Sequence, residues 1–166
     1  MKNIYFIAAL IISATFLACS NHKENAAELY NQTASLTATD LLNFNPLQWK
    51  VITAAGNKNN NTMCTLYGND TAIFYARSGK GNVYPQGSVL SLVTWKQQDD
   101  KHWFGAKIPQ QILSVEVLKF SPEGTIGNPV YETYEGTPLR LKKQNAPADI
   151  AIRSAYITGL KAVVTP

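Results

Sequence analysis

The sequence predicts an α+β fold, a mainly antiparallel β-sheet with a few short helices. Three observations predict it. Short runs of β-branched and aromatic residues recur along the chain, separated by brief turn signals. Only two or three stretches carry helix-like spacing or caps. The composition is that of a globular chain, with 45% hydrophobic and 16% charged residues, and its 10 Gly and 8 Pro supply turns. No internal repeat and no shift of composition divides the 166 residues, so one domain is expected.

The first element is an address. Lys2 precedes the uncharged apolar run Ile4 to Leu17, which is shorter than the ~20 residues of a membrane-spanning helix. The run ends Phe16-Leu17-Ala18-Cys19 and gives way to a polar stretch. This has the form of a signal peptide over residues 1–18. With Cys following the small residue, it resembles a bacterial lipoprotein signal, although Phe16 stands where Leu is commonest. The resemblance implies that Cys19 bears lipid and that the mature protein is held at the cell envelope, periplasmic or on the outer membrane. Residues 19–45, rich in Asn, Thr, Ala and Ser, read as a lipid-anchored tether leading to a domain over 46–166. A short helix is expected within it from Leu36 to Phe44.

Gln48 to Thr53 reads as a strand, and Gly56 to Asn61 as a loop. Thr62 to Tyr67 reads as the next strand. Thr71 to Gly79 reads as a two-turn helix, with Asn69 or Asp70 to cap it, Arg77 near its negative end and Gly79 to stop it. Asp70-Thr71-Ala72 also resembles the sites that some Bacteroidetes glycosylate on exported proteins. Gly87 to Lys96 is the strongest strand signal, with Ser88, Leu90, Leu92 and Thr94 on one face and Val89, Ser91, Val93 and Trp95 on the other. A hairpin loop is expected over 97–101, with a return strand from His102 to Ile108. Ser114 to Phe120 alternates, with Glu116 in the row of Leu118 and Phe120. Pro122-Glu123-Gly124 closes that strand. Val130 to Tyr134 is another strand, ended by Gly136. Asp149 to Leu160 suits helix or strand, and Asp149 as a cap favours helix.

The chemistry that the sequence excludes is clearer than the chemistry it supports. Without Lys2 the chain has 14 basic and 11 acidic side chains, scattered, so a nucleic-acid partner is disfavoured. Two Cys and two His do not make a Cys-rich zinc site. Phosphate-binding glycine loops, a zincin motif and a serine-hydrolase elbow are absent from the sequence. Cys64, between Met63 and Thr65 in a strand, reads as buried. Trp95, His102, Trp103, Phe104, Tyr131 and Tyr134 form a candidate ligand pocket, against the alternative of a sheet core with aromatics at its rim. Glu132 and Glu135 read as a solvated face.

The succession WKVITAAGN, LYGNDTAI, YPQGSVLSLVTWK, WFGAKIP and VEVLKF, from Trp49 to Lys119 and Phe120, resembles the cytochrome P-460 family, whose relatives include cytochrome c′-beta. The resemblance implies a mainly antiparallel sheet, commonly a homodimer. In the family's enzymes it implies hydroxylamine oxidation at a c-type haem cross-linked to a lysine. Two parts of that chemistry are missing. The family's Cys-x-x-Cys-His is expected just before Asp149-Ile150-Ala151-Ile152, but residues 142–148 contain neither Cys nor His. The cross-linking lysine is expected at or near Leu92, with Val93 where an acidic residue would stand.

No catalytic residue carries over, and the reading leans away from an enzyme. The expectation is a lipid-anchored envelope protein without covalent haem, metal or catalytic residues, acting as a noncatalytic small-ligand-binding or interaction module. The alternative is a redox or gas-sensing protein that holds haem noncovalently through His102.

Overall fold

The computed structural model of the protein describes residues 31–37, 40–121, 129–142 and 146–163. They belong to a compact unit spanning Asn31–Pro166. The signal peptide, Cys19, the first part of the tether and the Pro122-Glu123-Gly124 turn lie outside the described residues.

Six strands form one sheet in sequence order: β1 (Lys50–Asn57), β2 (Thr62–Gly68), β3 (Val89–Asp99), β4 (Lys107–Lys119), β5 (Val130–Glu135) and β6 (Arg140–Leu141). Every neighbouring pair is antiparallel. Helix α1 (Asp70–Arg77) follows β2, and α2 (Pro147–Gly159) follows β6. The α+β architecture is therefore the one the sequence predicts. The helix reading of the ambiguous C-terminal segment also holds, but Asp149 is not its cap: the helix starts two residues earlier, with Ala146 at the N-cap, Asp149 in the first turn, and Pro147 where the missing N–H costs nothing.

Side chains of period two bury both faces of the sheet. On one face Ile52, Leu66, Leu90, Leu92, Leu118 and Tyr131 pack with Ala72 and Ile73 of α1 and Ile157 of α2. On the other, Val93, Trp95, Ile112, Val115, Val117 and Tyr134 are covered by Ala34, Leu36, Leu42, Phe44 and Leu47. The segment read as the end of a tether is thus, from Asn31 onward, part of the fold. The Trp95 indole N–H donates to the Ala34 carbonyl at 2.9 Å, and the Leu139 N–H donates to Asp40 Oδ1 at 2.7 Å. The described residues of 36–44 form no helix. Instead Asp40 Oδ2 accepts from the Thr37 N–H at 2.6 Å and its hydroxyl at 3.0 Å, closing a turn, and single 3₁₀ turns flank the segment at Gln32–Ala34 and Pro46–Gln48.

The second difference is at the β3–β4 connection. β3 runs to Asp99, and the return strand starts at Lys107 rather than at His102. Residues 100–106 turn because the Asp100 carboxylate accepts the His102 N–H at 2.7 Å and the Ala106 N–H bonds the Trp103 carbonyl at 3.0 Å. Gly105 supplies the required positive φ of 79°. From Lys107 the strand continues unbroken through Lys119, absorbing Pro109 opposite Gln97 where the register shifts.

Candidate functional site

The helix-facing side of the sheet carries one charged side chain among apolar ones. Glu116 of β4 stands between Leu92 of β3 and Thr133 of β5. It is only 6% exposed. A lone carboxylate there would be costly, so its partners decide what it is for. Arg153 of α2 reaches it with two bonds, Nε to Oε1 at 2.9 Å and Nη2 to Oε2 at 2.6 Å. The Tyr131 hydroxyl of β5 also donates to Oε1. The guanidinium lies over the Tyr156 ring, 4.8 Å from its centroid, one turn further along α2.

This arrangement ties α2 to the sheet. The bond to Glu116 raises the Arg153 pKa, outweighing the opposing effect of burial. Burial first, and the bond to Glu116 second, raise the Tyr131 phenol. Cys64 of β2 lies on the same face. Its thiol is pushed up by burial, only partly offset by a backbone hydrogen bond at Ala55, so at neutral pH it is protonated and a poor nucleophile. Both Glu116 oxygens are committed to strong donors. The cluster can clamp a helix, but it offers no free general base.

On the opposite face Glu132 accepts from Lys119 Nζ at 2.8 Å and from the Tyr134 hydroxyl at 2.9 Å. Burial and the bond to Glu132 push Tyr134 up to about 12. Glu135 is ion-paired with Lys142 at 3.0 Å.

The six residues of the expected aromatic pocket are not brought together. Trp95 and Tyr134 are buried on the face covered by the N-terminal segment, and Tyr131 is buried on the helix side. His102, Trp103 and Phe104 are exposed in the β3–β4 loop. The Glu116–Arg153 pair was not singled out from sequence. Its signal was a charge in the same strand row as Leu118 and Phe120, which calls for a buried partner. Asp70-Thr71-Ala72 opens α1, with Asn69 Oδ1 accepting from the Ala72 N–H at 3.0 Å.

A meander sheet with both faces covered, and a helix clamped over its centre, defines a small α+β domain. The cytochrome P460 family model matches residues 47–148. The chain belongs to the cytochrome P460 family. Comparison with curated proteins found no match.

The family is named for a haem protein, so the residues present can be tested against haem. Thioether attachment with an axial imidazole takes two closely spaced Cys and a His, whereas the two Cys of this sequence are Cys19 and Cys64. His102 is the one histidine among the described residues, and it is exposed in a loop. Leu92, at the position expected for the cross-linking lysine, is buried beside Glu116. Among the described residues no group of three or more His, Cys, Asp or Glu is placed to hold a metal ion. These residues do not fit a c-type haem.

Proposed function

We propose that the protein is a lipid-anchored component of the cell envelope whose cytochrome P460 domain carries no covalent haem and serves as a noncatalytic binding module. The observation that carries the reading is the filling of the helix-side face at Leu92. The Arg153–Glu116–Tyr131 cluster closes α2 onto the sheet where the resemblance would place a cross-linked macrocycle. A cavity of about 410 Å³ remains beside α2, bordered by Val83, Phe120, Ile150 and Ala151 with Asn82 and Ser154 among them. Mostly apolar walls with a few polar atoms suit a small, largely apolar ligand. The anchoring half of the reading is supported by the charge, the apolar run and the small-residue-plus-Cys order of residues 2–19.

Intact mass and visible spectroscopy of the purified chain, followed by titration with haemin, test this function. The expected result is a mass without haem and a flat titration. A haem c spectrum with hydroxylamine oxidation overturns it. A stoichiometric Soret band abolished by His102→Ala overturns it in favour of noncovalent haem binding.

A further inference from the structure

The β3–β4 hairpin is longer than the sheet that holds it. The last residue of β3 paired with β2 is Lys96, opposite Thr62, and β5 pairs with β4 only from Ser114, opposite Glu135. Beyond those points β3 and β4 pair only with each other, through Gln97 with Pro109, Gln98 with Ile108 and Asp99 with Lys107. The result is a two-stranded arm. Its base is braced by Asn61, whose carbonyl accepts the Gln97 N–H at 3.1 Å and whose side-chain amide donates to the Gln97 carbonyl at 3.3 Å.

At the end of the arm Trp103 is 73% exposed and Phe104 109% exposed. Leaving each large apolar side chain in water forgoes about 1.5–3 kcal/mol of burial, so two adjacent rings on a projecting tip mark a contact surface. The charges around them nearly cancel. Asp99 pairs with Lys107, and Asp100 and Lys101 offset one another. A formally neutral tip of Trp and Phe beside a long Lys stem has the composition that settles at a lipid–water boundary.

The point where the leader joins the fold selects this occupant over a protein partner. Asn31 Nδ2 donates to the Pro109 carbonyl at 3.0 Å and to the Gln110 carbonyl at 2.7 Å, and the Thr33 hydroxyl donates to the Gln110 carbonyl at 2.5 Å. The chain therefore enters the domain on the arm itself. Eleven residues lie between Cys19 and Asn31, and the twelve steps that join them, at ~3.3–3.6 Å each, reach about 40 Å. From Gln110 to Phe104 the strand and loop span at most about 20 Å. The leader is thus long enough for a lipid on Cys19 and the arm tip to meet the same surface. Among the described residues no helix is long and apolar enough to cross a membrane.

We propose that Trp103 and Phe104 dock on the membrane surface that the Cys19 lipid enters. This inference rests on the lipid-anchor reading above. The lipid supplies the affinity, and the arm fixes the orientation of the domain.

The test uses the full mature chain, purified from whole cells in detergent and reconstituted with vesicles of phosphatidylethanolamine and phosphatidylglycerol. Intact mass reports whether Cys19 carries lipid. Tryptophan emission is then compared between wild type and Trp103→Phe, with brominated phospholipid as the bilayer quencher and acrylamide as the aqueous one. The difference signal isolates Trp103 from Trp49 and Trp95. The expected result is a lipidated mass and a Trp103 signal quenched by brominated lipid and shielded from acrylamide. A lipidated chain whose Trp103 ignores brominated lipid and stays open to acrylamide overturns the docking while the anchor stands. An unlipidated chain that still shows the bilayer quenching keeps the docking and overturns the anchor; without the quenching, both fall. Shielding that needs no lipid and grows with protein concentration assigns the tip to a second copy and overturns the docking.

Discussion

Glu116 stands in a strand row otherwise occupied by Leu118 and Phe120, and its two donors come from different elements. The Glu116 side chain is 7% exposed and that of Arg153 39%. The pair is therefore asymmetric: removing Arg153 strands a buried charge, whereas Arg153 without Glu116 can turn toward water. Breaking a buried pair costs about 3–5 kcal/mol. The half-exposed partner places Arg153→Met near the lower end, at about 3 kcal/mol, measured by urea unfolding. The double variant Arg153→Met with Glu116→Gln should recover part of that loss, because the neutral amide removes the stranded charge and still accepts from the Tyr131 hydroxyl. If the double variant is as unstable as the single one, the clamp contributes more than pairing, and the reading of the cluster as a helix tie is wrong. Cys64, close by on the same face, should react slowly with maleimide at neutral pH and faster once the chain is unfolded.

At the level of elements, α1 shows how local chemistry sets a boundary. Asn69 Oδ1 accepts from the Ala72 N–H at 3.0 Å and from the Val89 N–H at 3.1 Å, while Nδ2 donates to the Gly87 carbonyl at 2.8 Å. One side chain caps the helix and fastens it to the start of β3. Asn69→Ala should cost about 1–2 kcal/mol, whereas Asn69→Asp keeps the acceptor, loses the donor and should fall between; thermal unfolding of the three proteins checks the order. This element was legible in the sequence because its cap, its Arg77 and its Gly79 all lie within a dozen residues. The β3–β4 turn was not. Trp103 and Phe104 carry strand propensity, which outweighs in the sequence the local turn chemistry that pulls them out of the ladder: the Asp100 to His102 bond, the Ala106 to Trp103 backbone bond and the positive φ of Gly105. The segment from Asn31 to Asn45 reads as polar, yet Leu36, Leu42 and Phe44 cover a sheet face built from residues 50 to 100 positions further on. Short-range patterns do not reveal such a partner. The Glu116–Arg153 pair spans 37 residues and was hidden for the same reason.

For the whole molecule, the three layers share a titration. Burial raises the phenol pKa of Tyr84 and Tyr131 on the helix side and of Tyr67 and Tyr134 on the other, so both contacts of the sheet depend on neutral tyrosines. An unfolded tyrosine titrates near pH 10, and Tyr134 in the fold near 12. Between those values the unfolded chain has lost a proton that the native chain keeps. Unfolding therefore releases protons, and stability falls as pH rises. The contribution is fully present below about pH 10 and is lost on the way to about 12. Because layers on both sides of one sheet are affected, a single cooperative transition should move to lower temperature across this window, rather than one layer melting first. Tyr134→Phe removes the largest of these contributions and leaves Glu132 paired with Lys119. Its unfolding temperature should start slightly lower at pH 8, for want of the hydroxyl bond, and then decline less steeply than that of the wild type between pH 10 and 12. Parallel slopes for the two proteins would place the alkaline sensitivity elsewhere in the sheet.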